Sequence, residues 1–139
     1  MVPHNKKKCL ISACLTGLCT RYDGRSKPSP ACLRQLAAMD WIPVCPEQLG
    51  GLPTPRTAAE LIGGNGFDVL AGKARVINRD GIDVTKQFLM GADQVLTIAQ
   101  SQNIRLAFLR AKSPSCGLTP QHGVTAALLQ QHDIKIIEF

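Results

Sequence analysis

Three cysteines, Cys14, Cys45 and Cys116, each follow a short apolar run that reads as a β-strand. The runs are Cys9-Leu10-Ile11-Ser12-Ala13, then Trp41-Ile42-Pro43-Val44, then Arg105-Leu106-Ala107-Phe108-Leu109 with the loop that leads to Cys116. In an open parallel sheet, ligands collect outside the carboxyl ends of the strands. Three soft sulfur donors would then meet at one place although 31 and 71 residues separate them along the chain. That is the donor set of a metallocentre with three protein ligands and an open fourth position. A structural zinc would show four ligands in closely spaced pairs, and a ferredoxin run would show its cysteines together. Spacing alone leaves three alternatives: an iron–sulfur cluster, a zinc ion, or redox thiols without metal.

Polar groups flank these cysteines. Glu47, two positions after Cys45, is a candidate proton acceptor or donor if its pocket is dry; the alternative is a loop carboxylate paired with Arg56 or Arg21. Ser113, Ser115 and Lys112 precede Cys116, where one could orient a substrate while the others cap the loop. Asp23-Gly24 is a turn signal, which gives Asp23 a structural reading. His122 precedes a helix and reads as a cap-region residue, while His4 and His132 have no chemical context. Of the remaining cysteines, Cys9 and Cys32 read as small buried hydrophobes. Cys19 lies in a polar loop and is the spare thiol.

The elements that must position these groups alternate between strand and helix. The sequence predicts strands over 9–13, 42–44, 75–77, 105–109 and 134–137. Pro43 suits an edge strand better than a central one. Ser29-Pro30 reads as an N-cap and first turn of a helix reaching Met39. Further helices are expected over 57–62, 84–102 and 123–131, the longest with Phe88, Ala92, Val95, Leu96 and Ala99 as its buried stripe. Residues 45–56 and Gly63-Gly64-Asn65-Gly66 read as irregular. The pattern implies one α/β domain over residues 1–139, Rossmann-like and three-layered with a mostly parallel sheet, behind a flexible basic N-terminus of residues 1–8. Chemistry belongs to the loops 14–28, 45–56 and 110–122.

Composition narrows the function classes. At 139 residues with six cysteines and a formal charge of +6, the chain is long enough for a core without disulfides. Six cysteines outside a secretory context read as thiols or metal ligands. No apolar run is long enough to cross a bilayer, and no export signal pattern opens the chain, so a cytoplasmic protein is expected. No aromatic-basic stripe marks a nucleic-acid reader, and stable nucleic-acid binding is not expected. The positive charge favours an anionic or polar small substrate.

Three sets of motifs, in order, carry a resemblance over residues 8 to 138. They are Ile11-Ser12-Ala13-Cys14-Leu15 with Arg21-Tyr22-Asp23-Gly24; Pro43-Val44-Cys45-Pro46-Glu47 with Gly50-Gly51-Leu52-Pro53-Thr54-Pro55-Arg56; and Ser113-Pro114-Ser115-Cys116-Gly117 with Gly123-Val124-Thr125-Ala126-Ala127-Leu128-Leu129. The chain resembles the small bacterial family, long catalogued as a domain of unknown function, that contains the thiouracil desulfurases. The resemblance implies a [4Fe-4S] cluster on Cys14, Cys45 and Cys116 and non-redox conversion of 2-thiouracil to uracil. Glu47 would be the acid/base and Ser113 a positioning or proton-relaying group. A thiolated nucleoside or tRNA base as substrate, or a non-enzymatic iron–sulfur or zinc module, are the alternatives. Relatives carry a longer segment where this chain has only Leu118-Thr119-Pro120-Gln121-His122, which implies either a shorter lid or a disordered piece absent from this sequence.

Overall fold

The structure, a computed structural model, describes residues 6–139, so residues 1–5 of the expected flexible N-terminus, His4 among them, lie outside the described residues. Its centre is a four-stranded, wholly parallel sheet in the order β2-β1-β5-β6, formed by β1 (Lys7–Ser12), β2 (Met39–Val44), β5 (Leu106–Leu109) and β6 (Lys135–Glu138). Lys7 and Lys8, read as lying ahead of the first strand, instead pair with Met39 and Asp40. β2 is longer than expected and lies at the sheet edge, where the missing donor of Pro43 is tolerated.

Side chains alternate across this sheet, and each face is covered by helices, which makes the three layers. On one face Leu10, Val44, Ala107 and Leu109 pack with Phe88, Ala92, Val95 and Ala99 of α4 (Thr85–Ser101) and with Val124 and Leu128 of α5 (Val124–Gln131). On the other, Cys9, Ile11, Leu106 and Phe108 meet Leu15 and then Cys32 and Leu36 of α1 (Pro30–Leu36). The expected Ser29 cap is present, its hydroxyl accepting from Cys32 N at 3.2 Å. Cys9 and Cys32 are fully buried there, and burial pushes both thiols up to about 11.

Three local readings are corrected. Residues 57–62, expected as a helix, contain β3 (Ala59–Ile62), which pairs antiparallel with β4 (Arg75–Asn78) in a separate two-stranded sheet. The partner strand decides the outcome over helix propensity. The glycine-rich stretch at 63–66 leads into α3 (Gly66–Leu70), started by a capping box in which Asn65 and Asp68 each accept from the other's end of the turn. The irregular stretch at 45–56 contains α2 (Pro46–Leu49), which begins with proline at its first position.

α2 lies against α4 at two glycines. A Cβ on Gly91 would sit 1.9 Å from Pro46 O, and one on Gly50 would sit 2.0 Å from Gln87 O. This backbone-to-backbone approach fixes the segment that carries Cys45 and Glu47. Among the described residues, no helix is long and apolar enough to cross a membrane.

Candidate active site

The carboxyl ends of β1, β2 and β5 open on a cavity of about 630 Å³. Such a volume suits a small-molecule ligand. Cys14, Cys45, Cys116, Glu47 and Ser113 all line it, so the structure brings together every residue singled out for chemistry. Cys14 sits in the 3-10 turn Ala13–Thr16 directly after β1, Cys45 caps α2 directly after β2, and Cys116 ends the loop that follows β5. Cys116 is buried, whereas Cys14 and Cys45 are partly exposed to the cavity.

The cysteines feel one another and two arginines. Burial pushes the Cys116 thiol up to about 12; hydrogen bonds from Ser12 and Ser115 oppose the rise, and the neighbouring Cys14 and Cys45 add to it. Cys45 is also raised, first by burial, with Arg56 working against the rise. Arg110 Nε donates to Cys14 Sγ at 3.0 Å, and Arg56 Nη2 lies 3.8 Å from Cys45 Sγ. Each guanidinium stabilises negative charge on the sulfur it faces.

Glu47 is paired with Arg56, the alternative read from sequence, and its second oxygen is bonded to the cysteine loop. Arg56 Nε donates to Glu47 Oε1 at 3.0 Å, and Ser115 Oγ donates to Glu47 Oε2 at 3.1 Å. Ser115 Oγ lies 3.0 Å from Ser113 Oγ, which in turn accepts from the N–H groups of Ser115 and Cys116. Ser113 thus organises the Cys116 turn, while Ser115, buried, is the hydroxyl that touches the carboxylate. Six cationic side chains line the cavity (Arg21, Lys27, Arg56, Arg79, Arg110 and Lys112) against the carboxylates of Glu47 and Glu60. The wall is therefore positive and suited to an electron-rich or anionic occupant.

Other candidates fall outside. Cys19 is exposed and does not line the cavity. His122 packs tilted against Phe67 with ring centroids 4.9 Å apart, and His132 is the C-cap of α5. Asp23 is structural, accepting from Arg25 N at 3.0 Å and pairing with Arg21. The short segment after Cys116 is fastened by Glu138, which accepts from the N–H groups of Leu118 and Thr119 and from the Thr119 hydroxyl.

Arg110, Ser12 and Glu138 went unnoticed in the sequence. Ser12 and Arg110 close β1 and β5, and Arg110 N donates to Ser12 Oγ at 3.0 Å. Position at a strand's carboxyl end was the signal that marked them.

Among the described residues, no three His, Cys, Asp or Glu side chains are arranged to hold a single metal ion. A cubane makes a different demand, one thiolate on each of three irons, and so wants its donors further apart than a single ion does. Thr20 Oγ1 is buried on the cavity lining with no partner among the described residues, while the Thr20 carbonyl accepts from Cys45 Sγ at 3.7 Å. That hydroxyl is a ready donor to a sulfur-bearing group beside Cys45. Three thiols, two guanidinium donors and an orphaned hydroxyl on one cavity fit an anionic iron–sulfur group.

The model of the 2-thiouracil desulfurase family matches residues 9–138. The chain belongs to that family. The uncharacterized protein YbbK of Bacillus subtilis (strain 168) is 38% identical over 140 residues, covering 92% of this chain and 93% of its own. A solved structure, that of the [4Fe-4S]-dependent thiouracil desulfidase TudS, superposes with a TM-score of 0.80 at 37% identity, over 96% of this chain and 91% of that one. The α/β architecture and the mostly parallel sheet expected from sequence are those of this neighbour.

Proposed function

We propose that this protein removes sulfur from a thiolated pyrimidine by hydrolysis, converting 2-thiouracil and water to uracil and hydrogen sulfide. The observation that carries the reading is the single cavity shared by three cysteine sulfurs and the Glu47–Ser115–Ser113 chain. Family membership and the likeness to TudS support it. Cys14, Cys45 and Cys116 would hold a [4Fe-4S] cluster. When bound, that group supplies an iron with no protein ligand, a Lewis acid with an affinity for soft sulfur.

The chain's own residues account for the rest. Glu47, fixed by Arg56 and Ser115, accepts a proton from water as its oxygen attacks the thiocarbonyl carbon. A C=O bond replaces the C=S bond, with no net oxidation or reduction. Both water protons end on the departing sulfur as hydrogen sulfide, one by way of Glu47 and the other from the carbon-bound hydroxyl as the C–S bond breaks. The proton on Glu47 passes toward the departing sulfur along the hydroxyls of Ser115 and Ser113. Arg110 and Arg56 face the sulfurs of Cys14 and Cys45 and offset the negative charge gathered there. Because the side chains of Glu47 and Arg56 are largely shielded from solvent, their charges act at lower dielectric than in water.

Anaerobic reconstitution with iron and sulfide, then an assay for uracil and sulfide, tests the proposal. Both products in equal amounts are expected; a fully loaded protein that releases neither from any thiolated pyrimidine overturns it.

A further inference from the structure

A thiolated pyrimidine is a flat ring with a polar edge and two π-faces, and the site so far described holds only its sulfur and its reacting carbon. The chain is poor in aromatic residues, with four Phe, one Trp and one Tyr. Two of them, Tyr22 and Phe139, line the cavity. Phe139 is engaged by the core. Its ring tilts against Phe108 with centroids 5.9 Å apart, and its backbone bonds to Leu109 and Ala111. Tyr22 is the opposite case, 42% exposed on the cavity wall.

Nothing in the core demands a tyrosine there, yet its position is controlled. Tyr22 O accepts from Arg56 N at 2.7 Å, and Thr20 O accepts from Arg56 Nη2 at 2.9 Å. The same Arg56 grips Glu47 and faces Cys45. The loop that carries Tyr22 is therefore in register with the carboxylate and with a sulfur. Arg21, tied to Asp23, lies 5.9 Å from the Tyr22 ring centroid and braces one side of the ring.

We propose that Tyr22 is the stacking platform for the pyrimidine ring, holding it by one π-face so that its thiocarbonyl points at the sulfur-lined end of the cavity. The inference rests on the desulfurase reading for the identity of the ring. Base–aromatic stacking depends little on which base is present, so Tyr22 sets affinity and orientation rather than chemistry.

The test compares wild type with Tyr22→Phe, Tyr22→Leu and Tyr22→Ala, all reconstituted anaerobically and matched for iron content, with 2-thiouracil as substrate. Stacking on this scale is worth about tenfold or more in affinity. Tyr22→Ala and Tyr22→Leu are expected to raise KM by about that factor with a far smaller change in kcat, and Tyr22→Phe to restore KM. Tyr22→Leu fills a similar space without a π-face, so a wild-type KM in that variant overturns the proposal. So does an unchanged KM in Tyr22→Ala.

A second readout is independent of turnover. As Tyr22 is the sole tyrosine, its ring resonances in ring-labelled protein are unambiguous. Added uracil is expected to shift them upfield through its ring current; saturating uracil with no shift overturns the proposal. If wild type releases no sulfide yet uracil shifts the resonance, the desulfurase reading fails while the platform stands.

Discussion

Replacing Glu47 by glutamine removes the anionic half of an ion pair while nearly preserving its shape. Glu47 Oε1 and Arg56 Nε are 3.0 Å apart, and the two side chains are 12% and 6% exposed. At that distance and an effective dielectric of about 20, the bare attraction is about 5.5 kcal/mol. Most of it is offset by the desolvation of both charges. Arg56 also keeps its bonds to Thr20 O, Pro53 O and Thr54 Oγ1 after the substitution. The expected net loss is about 2–3 kcal/mol, which for a chain of this size lowers Tm by roughly 6–12 °C. A cycle of Glu47→Gln, Arg56→Gln and the double variant, melted metal-free by circular dichroism, should give a coupling of about 2 kcal/mol. In the loaded protein, turnover should fall by about 10²–10⁴ for Glu47→Gln, the usual contribution of a proton-transfer group. A coupling below about 0.5 kcal/mol refutes the energetics of the pair, and undiminished turnover in Glu47→Gln refutes its chemical role.

Iron analysis after anaerobic reconstitution should find that Cys14→Ser, Cys45→Ser and Cys116→Ser each lose the metal, while Cys32→Ser and Cys19→Ser keep it. A full iron complement in any of the first three removes that residue from the ligand set. Brief alkylation of the native metal-free protein should mark Cys19 and spare Cys9 and Cys32, because burial raises those two thiols to about 11 and seals them from reagent; peptide mass spectrometry reads the order. Glu138 should confer acid-sensitive stability. Burial works to raise its carboxyl, but the bonds from Thr119 and Leu118 outweigh burial and hold it below its ordinary 4.5. The stability it contributes is complete above about 4.5 and is lost as pH falls through the lowered folded value. Glu138→Gln should therefore flatten the acid limb of a Tm-against-pH curve, and an unchanged limb contradicts the assignment. Gly91→Ala should cost about 2 kcal/mol or more and disturb the Cys45–Glu47 segment, since its new methyl would meet Pro46 O; wild-type stability and turnover would show that α2 moves freely on α4.

The parts of the fold governed by short-range rules were readable from the chain. Pro43 placed β2 at an edge, Ser29-Pro30 started α1, and the stripe from Phe88 to Ala99 faces inward in α4. The strand β3 and the helix α3 were missed for opposite reasons. Ala59-Glu60-Leu61-Ile62 has helix-favouring residues but meets a partner strand, and the glycines before α3 hid an Asn65–Asp68 capping pair that was present in the sequence. The cysteines could be placed because each follows a recognisable strand. The Arg110–Cys14 contact spans 96 residues and the Ser115–Glu47 contact 68, and no local pattern announces either. Arg56 was considered only as a partner for Glu47, and its grip on Thr20 and Tyr22 belongs to tertiary structure.

The three sulfurs at the cavity come from the first strand's exit, an edge strand's exit and the last third of the chain. Any occupant gripped by all three is a cross-link that closes two long chain loops, and long closures remove the most freedom from the unfolded state. Occupancy would then be felt as resistance to unfolding as much as reactivity. The outer strand, paired only with β1 and tied at its exit by α2 on α4, would lose a further tie when the occupant leaves, so fraying would begin at the cavity.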